Sequence, residues 1–286
     1  MDGKSLLMQP ADETLVSSAP PRLDYRDFQR SIALISSFRS GSHMLKLSLG
    51  QLASMSTPVE PFNHNVDGAD AYTIKTYLAE GGPKPLIMTE GHGAVHHFLA
   101  RFYKTMPPRR SIILDIKYSQ AYAFGVNASM RVPVAVPVVL EELHKLQIPF
   151  IHLTRRDLVA QAISLLVAED EGAYLVKSTD ADQTRRPVRL SPRDVMTAAI
   201  QLRNARDNAR VVMDALGVRS LEVGYEDLIS PNWRYHYREI LRFVNRYADI
   251  PESFSAPTRR QDSAGRVTNL AEIRDYVAER DRTLNG

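Results

Sequence analysis

The stretch "SIALISSFRSGSHMLKLSL" at residues 31 to 49 takes a short apolar run through Phe38, Arg39, Ser40, Gly41 and Ser42 into a helix-like segment. A strand that turns into a helix at such a point is suited to an anion. Glycine lets the backbone approach a ligand, the first helical amides lack intrahelical partners, and the helix dipole favours negative charge. The amides of residues 40 to 44 point outward from that start, those of Ser40, Gly41, Ser42 and His43 among them, and Arg39 adds a fixed charge with several donors. The nucleoside-triphosphate cradle has a different signature, with four residues between its glycines and then Lys and Ser or Thr. The plainer alternative is an ordinary turn capped by Ser42 or Ser40, with Arg39 solvated. A second arginine-bearing junction follows in "FIHLTRRDLVAQAISLLVAEDEGAYL", where Arg156 and Ser164 stand eight residues apart. Both reach one anion only if the chain enters the helix obliquely. Otherwise Arg155, Arg156 and Asp157 are a solvated helix-start cluster and Ser164 is a small packing residue.

Proton transfer needs a base within hydrogen-bond reach of its substrate. Glu60, held between Pro58 and Pro61, is placed to return toward the first junction, the alternative being a surface-loop glutamate. Lys117, in "LDIKYSQ", is positioned to contact a transferred group or a substrate. His43, His92 and His96 are rival bases because histidine titrates near neutrality. His92 ranks first of these, since Gly91 and Gly93 set it in a flexible turn. Metal chemistry has no such support: there is no cysteine, and the adjacent His96 and His97 do not face one another on a helix.

The elements that must position these residues follow from apolar periodicity. Strands are expected at residues 32–37, 111–116, 150–154 and 220–223, and helices at 44–52, 69–79, 92–104, 138–146, 157–169, 193–216 and 233–247. Strands separated by helices predict an α/β fold, a mainly parallel central sheet flanked by helices, with ligands gathering at the carboxyl ends of its strands. Residues 170 to 192 read as a long polar loop, residues 1 to 30 as a loosely ordered arm, and 31 to 286 as a single domain. With 286 residues, 44% of them apolar, the chain can bury one substantial core. The 36 Lys and Arg against 33 Asp and Glu leave +3, too even a balance to argue for nucleic acid. No apolar run approaches the roughly 20 residues of a membrane span, so the expectation is a soluble, cytoplasmic protein.

Arg-Ser-Gly-Ser at 39 to 42, Pro-x-Glu-x-Phe at 58 to 62 and Arg-Arg-Asp-x-Val-Ala-Gln-Ala-x-Ser at 155 to 164 together resemble the bacterial Stf0 sulfotransferase family. Tyr-Glu-Asp-Leu at 225 to 228 and Arg-Arg-Gln at 259 to 261 are similar to further landmarks there, so the likeness covers residues 31 to 280. The resemblance implies a P-loop-like sulfotransferase architecture and transfer of a sulfuryl group from 3'-phosphoadenosine 5'-phosphosulfate to a hydroxyl of a sugar, glycolipid or related acceptor, with no metal. It implies that Arg39, Ser40, Gly41 and Ser42 cradle the 5'-phosphosulfate, that Arg156 and Ser164 hold the 3'-phosphate, and that Arg260 closes over the nucleotide. Glu60 stands where the family has its general base. Family members pair as dimers, which allows a homodimer here. Tyr72, Tyr77, Tyr118, Tyr122 and Trp233 are candidates to stack on sugar faces, their alternative being ordinary core. Two rival functions stay open: a nucleotide-dependent kinase, which lacks its loop lysine and an evident acidic strand end to hold magnesium, and a non-catalytic protein that binds the 3',5'-bisphosphonucleotide.

Overall fold

The computed structural model describes residues 31–58, 60–64, 72–82, 91–106, 111–127, 135–170, 186–246, 249–254 and 263–280. The arm expected at 1 to 30 and most of the loop expected at 170 to 192 lie outside them. In the described residues the strands are β1 (Ile32–Ser36), β2 (Ile113–Lys117), β3 (Val126–Asn127), β4 (Val136–Pro137), β5 (Phe150–Thr154) and β6 (Ser220–Gly224). The helices are α1 (Ser42–Ala53), α2 (Ile74–Ala79), α3 (Gly91–Thr105), α4 (Val138–Lys145), α5 (Leu158–Asp170), α6 (Pro192–Leu216), α7 (Tyr225–Leu228), α8 (Trp233–Phe243) and α9 (Leu270–Arg280).

Four strands make one all-parallel sheet in the order β2-β1-β5-β6, while β3 and β4 form a small antiparallel pair. Every residue of β1, β2 and β5 is buried. Helices on both faces account for their near-continuous apolar runs. Side chains alternate between the faces: Ala33 and Ile35 join Phe98, Leu99 and Val139, whereas Ile32 and Leu34 join Leu45, Leu49 and Tyr237. A third cluster joins α5, α6 and α9 through Ala162, Ala199 and Ile273. The chain leaves β1 for β2 on one side, while β5 borders β1 on the other, so the topological switch point falls between β1 and β5.

Local chemistry sets several boundaries. Ser191 caps α6 by accepting from the Asp194 amide, Pro192 opens it, and Gly217 ends it at φ 63°. The expected helix at 69–79 starts later, at Ile74, because Thr73 accepts from the Thr76 amide as its cap; residues 65–71 are outside the described set. α8 stops at Phe243 rather than 247, since Asn245 turns left-handed at φ 54° and the Arg246 amide reaches back to the Leu241 carbonyl. Leu47 is 48% exposed, for it lies opposite the buried Leu45 and Leu49 on the helix. Lys117 belongs to β2, in register with Ser36, and does not follow it. Among the described residues no helix is long and apolar enough to cross a membrane.

Candidate functional site

The loop after β1 contains two left-handed residues, Arg39 at φ 60° and Gly41 at φ 93°. Gly41 is required twice over: its backbone strains any L side chain, and a Cβ there would lie 2.4 Å from Cδ2 of Tyr225. Tyr225 opens α7 directly after β6, and the Arg155 guanidinium lies over its ring, 5.0 Å from the centroid. Arg155 also donates to the Arg39 carbonyl at 3.3 Å. Gln161 of α5 donates to the Ser37 hydroxyl at 2.6 Å and to the Phe38 carbonyl at 2.7 Å. The loop is thus tied to the ends of β5 and β6. The Ser40 hydroxyl donates to the Ser37 carbonyl at 2.8 Å, so this side chain braces the loop and only its backbone is left to a cradle. Gly41 caps α1 without a side chain, which leaves the helix start suited to an anion.

Arg39 Nε donates to the Ser164 hydroxyl at 3.0 Å, bringing the two junctions named in the sequence into direct contact. Ser263 donates to the same hydroxyl at 3.4 Å. Arg156 takes a different direction. Its terminal nitrogens hold Asp227 at 2.8 and 3.3 Å, the Arg156 and Asp157 amides donate to Glu226, and the Arg156 side chain is 63% exposed. Asp227 and Glu226 beside the guanidinium hold its pKa above the usual arginine value.

Below the start of α1 lies a buried polar cluster. Lys117 Nζ donates to the Ser42 hydroxyl at 2.6 Å, to Asp115 Oδ1 at 2.7 Å and to the Ser36 hydroxyl at 3.3 Å. Lys46, one turn along α1, pairs with the other Asp115 oxygen at 2.8 Å. Burial pushes the Asp115 carboxyl up, but Lys117 and Lys46 outweigh it and hold the group below the usual carboxylate range. Glu60 returns to this cluster: Oε1 is 3.5 Å from Lys117 Nζ, and Oε2 accepts from Gln120 at 2.6 Å and Asn63 at 2.9 Å.

The structure therefore brings together Arg39, Gly41, Ser42, Ser164, Lys117 and Glu60 at the carboxyl ends of β1 and β2, with His43 exposed on the first turn of α1. Arg260 lies outside the described residues, as do Arg259 and Gln261. His92 is not in a flexible turn. It is in the first turn of α3, where a Cβ on Gly91 would come 2.8 Å from the Phe124 carbonyl, and its Nδ1 meets Glu142 at 2.5 Å. His96 pairs with the same carboxylate. Tyr72 and Tyr77 are core residues, Trp233 packs on Tyr237 and Phe254, and Tyr118 is hydrogen-bonded to His152, leaving Tyr122 alone of the five exposed. Asp115, Lys46 and Ser36 were missed in the sequence. Asp115 is the acidic strand residue that the kinase reading lacked, and its signal was the pair of charges two apart in "IILDIK", which share one face of a strand. Among the described residues no group of His, Cys, Asp or Glu is arranged to hold a metal ion.

Comparison of the chain with protein-family models and with curated proteins finds no match to either.

Proposed function

We propose that this protein is a sulfotransferase of the Stf0-like kind, moving a sulfuryl group from 3'-phosphoadenosine 5'-phosphosulfate to a hydroxyl of a sugar, glycolipid or related polyhydroxylated acceptor. The observation that carries the reading is the return of Glu60 to 3.5 Å from Lys117, at the foot of a helix-start cradle that Arg39 borders. An acceptor oxygen attacks sulfur in line, its bond to sulfur forms as the bond from sulfur to the bridging phosphate oxygen breaks, and the hydroxyl proton passes to Glu60. Charge builds on the leaving phosphate, where Arg39 and the helix-start amides are the stabilising donors and Lys117 supplies a buried positive charge beneath them. The products are the sulfate ester and adenosine 3',5'-bisphosphate. A cytoplasmic setting and a homodimer belong to the same proposal through the family likeness.

Sulfate transfer from the phosphosulfate donor to a panel of sugars and polyols, followed by mass spectrometry, tests it. Glu60→Gln lowers turnover about 100-fold or more, the scale of general-base catalysis, while donor affinity stays near that of the unaltered protein. Near-normal turnover in that variant removes Glu60 from the mechanism. Tight binding of adenosine 3',5'-bisphosphate with no transfer to any hydroxyl makes the chain a binding protein instead.

A further inference from the structure

In strand-loop-helix nucleoside triphosphatases a magnesium ion sits between the hydroxyl at the helix start and an aspartate at the end of a neighbouring strand. This chain has both groups. Ser42 opens α1, and Asp115 lies near the carboxyl end of β2, 1% exposed. Between them stands an ammonium group: Lys117 Nζ, 2.6 Å from Ser42 Oγ and 2.7 Å from Asp115 Oδ1, on a side chain 4% exposed. The second Asp115 oxygen is taken by Lys46.

We infer that Lys117 is a built-in cation in the position a divalent metal would take, so the cradle binds its anionic nucleotide without magnesium and discriminates against the metal complexes of nucleoside polyphosphates. This rests on the anion cradle of the proposed function and not on sulfuryl transfer. Each Asp115 oxygen is engaged by an ammonium group, and Lys117 fills the space toward Ser42, so a metal ion entering between Ser42 and Asp115 has to expel a buried lysine. An ammonium has three protons, and Ser36, Ser42 and Asp115 use all three. Because the Ser42 oxygen accepts from Lys117, its own proton is left to donate elsewhere, which suits the hydroxyl to an anion seated at the helix start. Lys46 and Lys117 against Asp115 and Glu60 sum to zero charge, which lets two lysines stay in so enclosed a place.

Titration calorimetry with adenosine 3',5'-bisphosphate and with adenosine 5'-diphosphate, each in EDTA and in magnesium, tests the inference on the whole chain. The unaltered protein binds adenosine 3',5'-bisphosphate with equal affinity in both media and adenosine 5'-diphosphate more weakly in magnesium. Lys117→Ala binds about tenfold more weakly or worse in EDTA, because one positive charge beneath the anion is gone, and magnesium recovers affinity by entering the vacated space. Lys117→Met fills that space without charge, so it loses affinity and magnesium does not restore it. Both variants keep the Lys46 to Asp115 pair, so no carboxylate is stranded in the interior. A tenfold gain from magnesium in the unaltered protein, full affinity of Lys117→Ala in EDTA, or equal rescue of both variants overturns the inference. Metal-free preference for the diphosphate, lost in Lys117→Ala, upholds the lysine and removes the sulfuryl reading; binding of neither nucleotide removes both.

Discussion

Arg156 grips Asp227 with both terminal nitrogens while its side chain stays 63% exposed, and exposed pairs of this kind contribute only about 0.2–1 kcal/mol. A doubly charged phosphate offers the same guanidinium a stronger, bidentate partner. Under the proposed function the 3'-phosphate therefore displaces Asp227 rather than filling a waiting pocket, and the pair is a weak competitor of the ligand. Arg156→Ala lowers affinity for adenosine 3',5'-bisphosphate and leaves affinity for adenosine 5'-monophosphate nearly unchanged. Asp227→Asn acts in the opposite direction, tightening the bisphosphate. Calorimetry with the two nucleotides separates these outcomes, and equal weakening toward both in Arg156→Ala removes the residue from 3'-phosphate recognition.

At the level of elements, the strand-to-helix turn depends on Gly41, where φ of 93° and the Tyr225 ring 2.4 Å from a would-be Cβ act together. Gly41→Ala carries a backbone cost of about 1–2 kcal/mol and a steric cost besides. It lowers the thermal midpoint and weakens nucleotide binding, and adding Tyr225→Ala restores only the steric part; full recovery in the double variant would place all of the cost in the ring contact. The glycine and the residues around it were legible in the sequence because the need for close backbone approach marks a residue type. The strands were legible for a similar reason, since helices on both faces demand unbroken apolar runs. What surrounds the turn was not. Tyr225, Arg155 and Gln161 reach it from β5, α5 and the end of β6, by contacts that only the strand order creates. The helix α9 went unread as well, because its buried residues are only Ile273 and Val277, too few to stand out as an apolar stripe. His92 was misread since flanking glycines suggest a turn locally, while pairing with Glu142 across to α4 is a tertiary event.

For the whole molecule, the face of the sheet away from α1 holds a buried chain of titratable groups that ties stability to pH. His152 on β5, 1% exposed, lies between the Tyr118 hydroxyl at 2.7 Å and Glu222 Oε2 at 3.2 Å, and Arg210 of α6 holds Glu222 through two bonds at 2.8 and 2.5 Å. The carboxylate only accepts, so His152 carries its proton on Nδ1 and receives the Tyr118 hydroxyl on Nε2. Burial, opposed by Glu222 and aided by Arg210 and Arg206, holds the imidazole down at about 4. In the unfolded chain the group titrates near 6.5. Above that pH both states are neutral and nothing is lost. As pH falls from 6.5 toward 4 the unfolded chain takes up a proton that the folded one refuses, so stability drops by about 3 kcal/mol, then levels. A second window lies lower. Burial pushes Glu142 up, but His96 and Lys145 hold it down at about 2, so its contribution is lost as pH falls from 4.5 toward 2. Urea unfolding at pH 7, 6 and 5.5 reads the first window above the second. His152→Gln keeps an acceptor for Tyr118 and a donor for Glu222 without a titrating ring, so its stability declines less over those three values than that of the unaltered protein, the remainder falling to His97, which burial, Arg101 and Lys104 also hold down. A parallel decline in the variant would assign the acid sensitivity to groups other than this histidine.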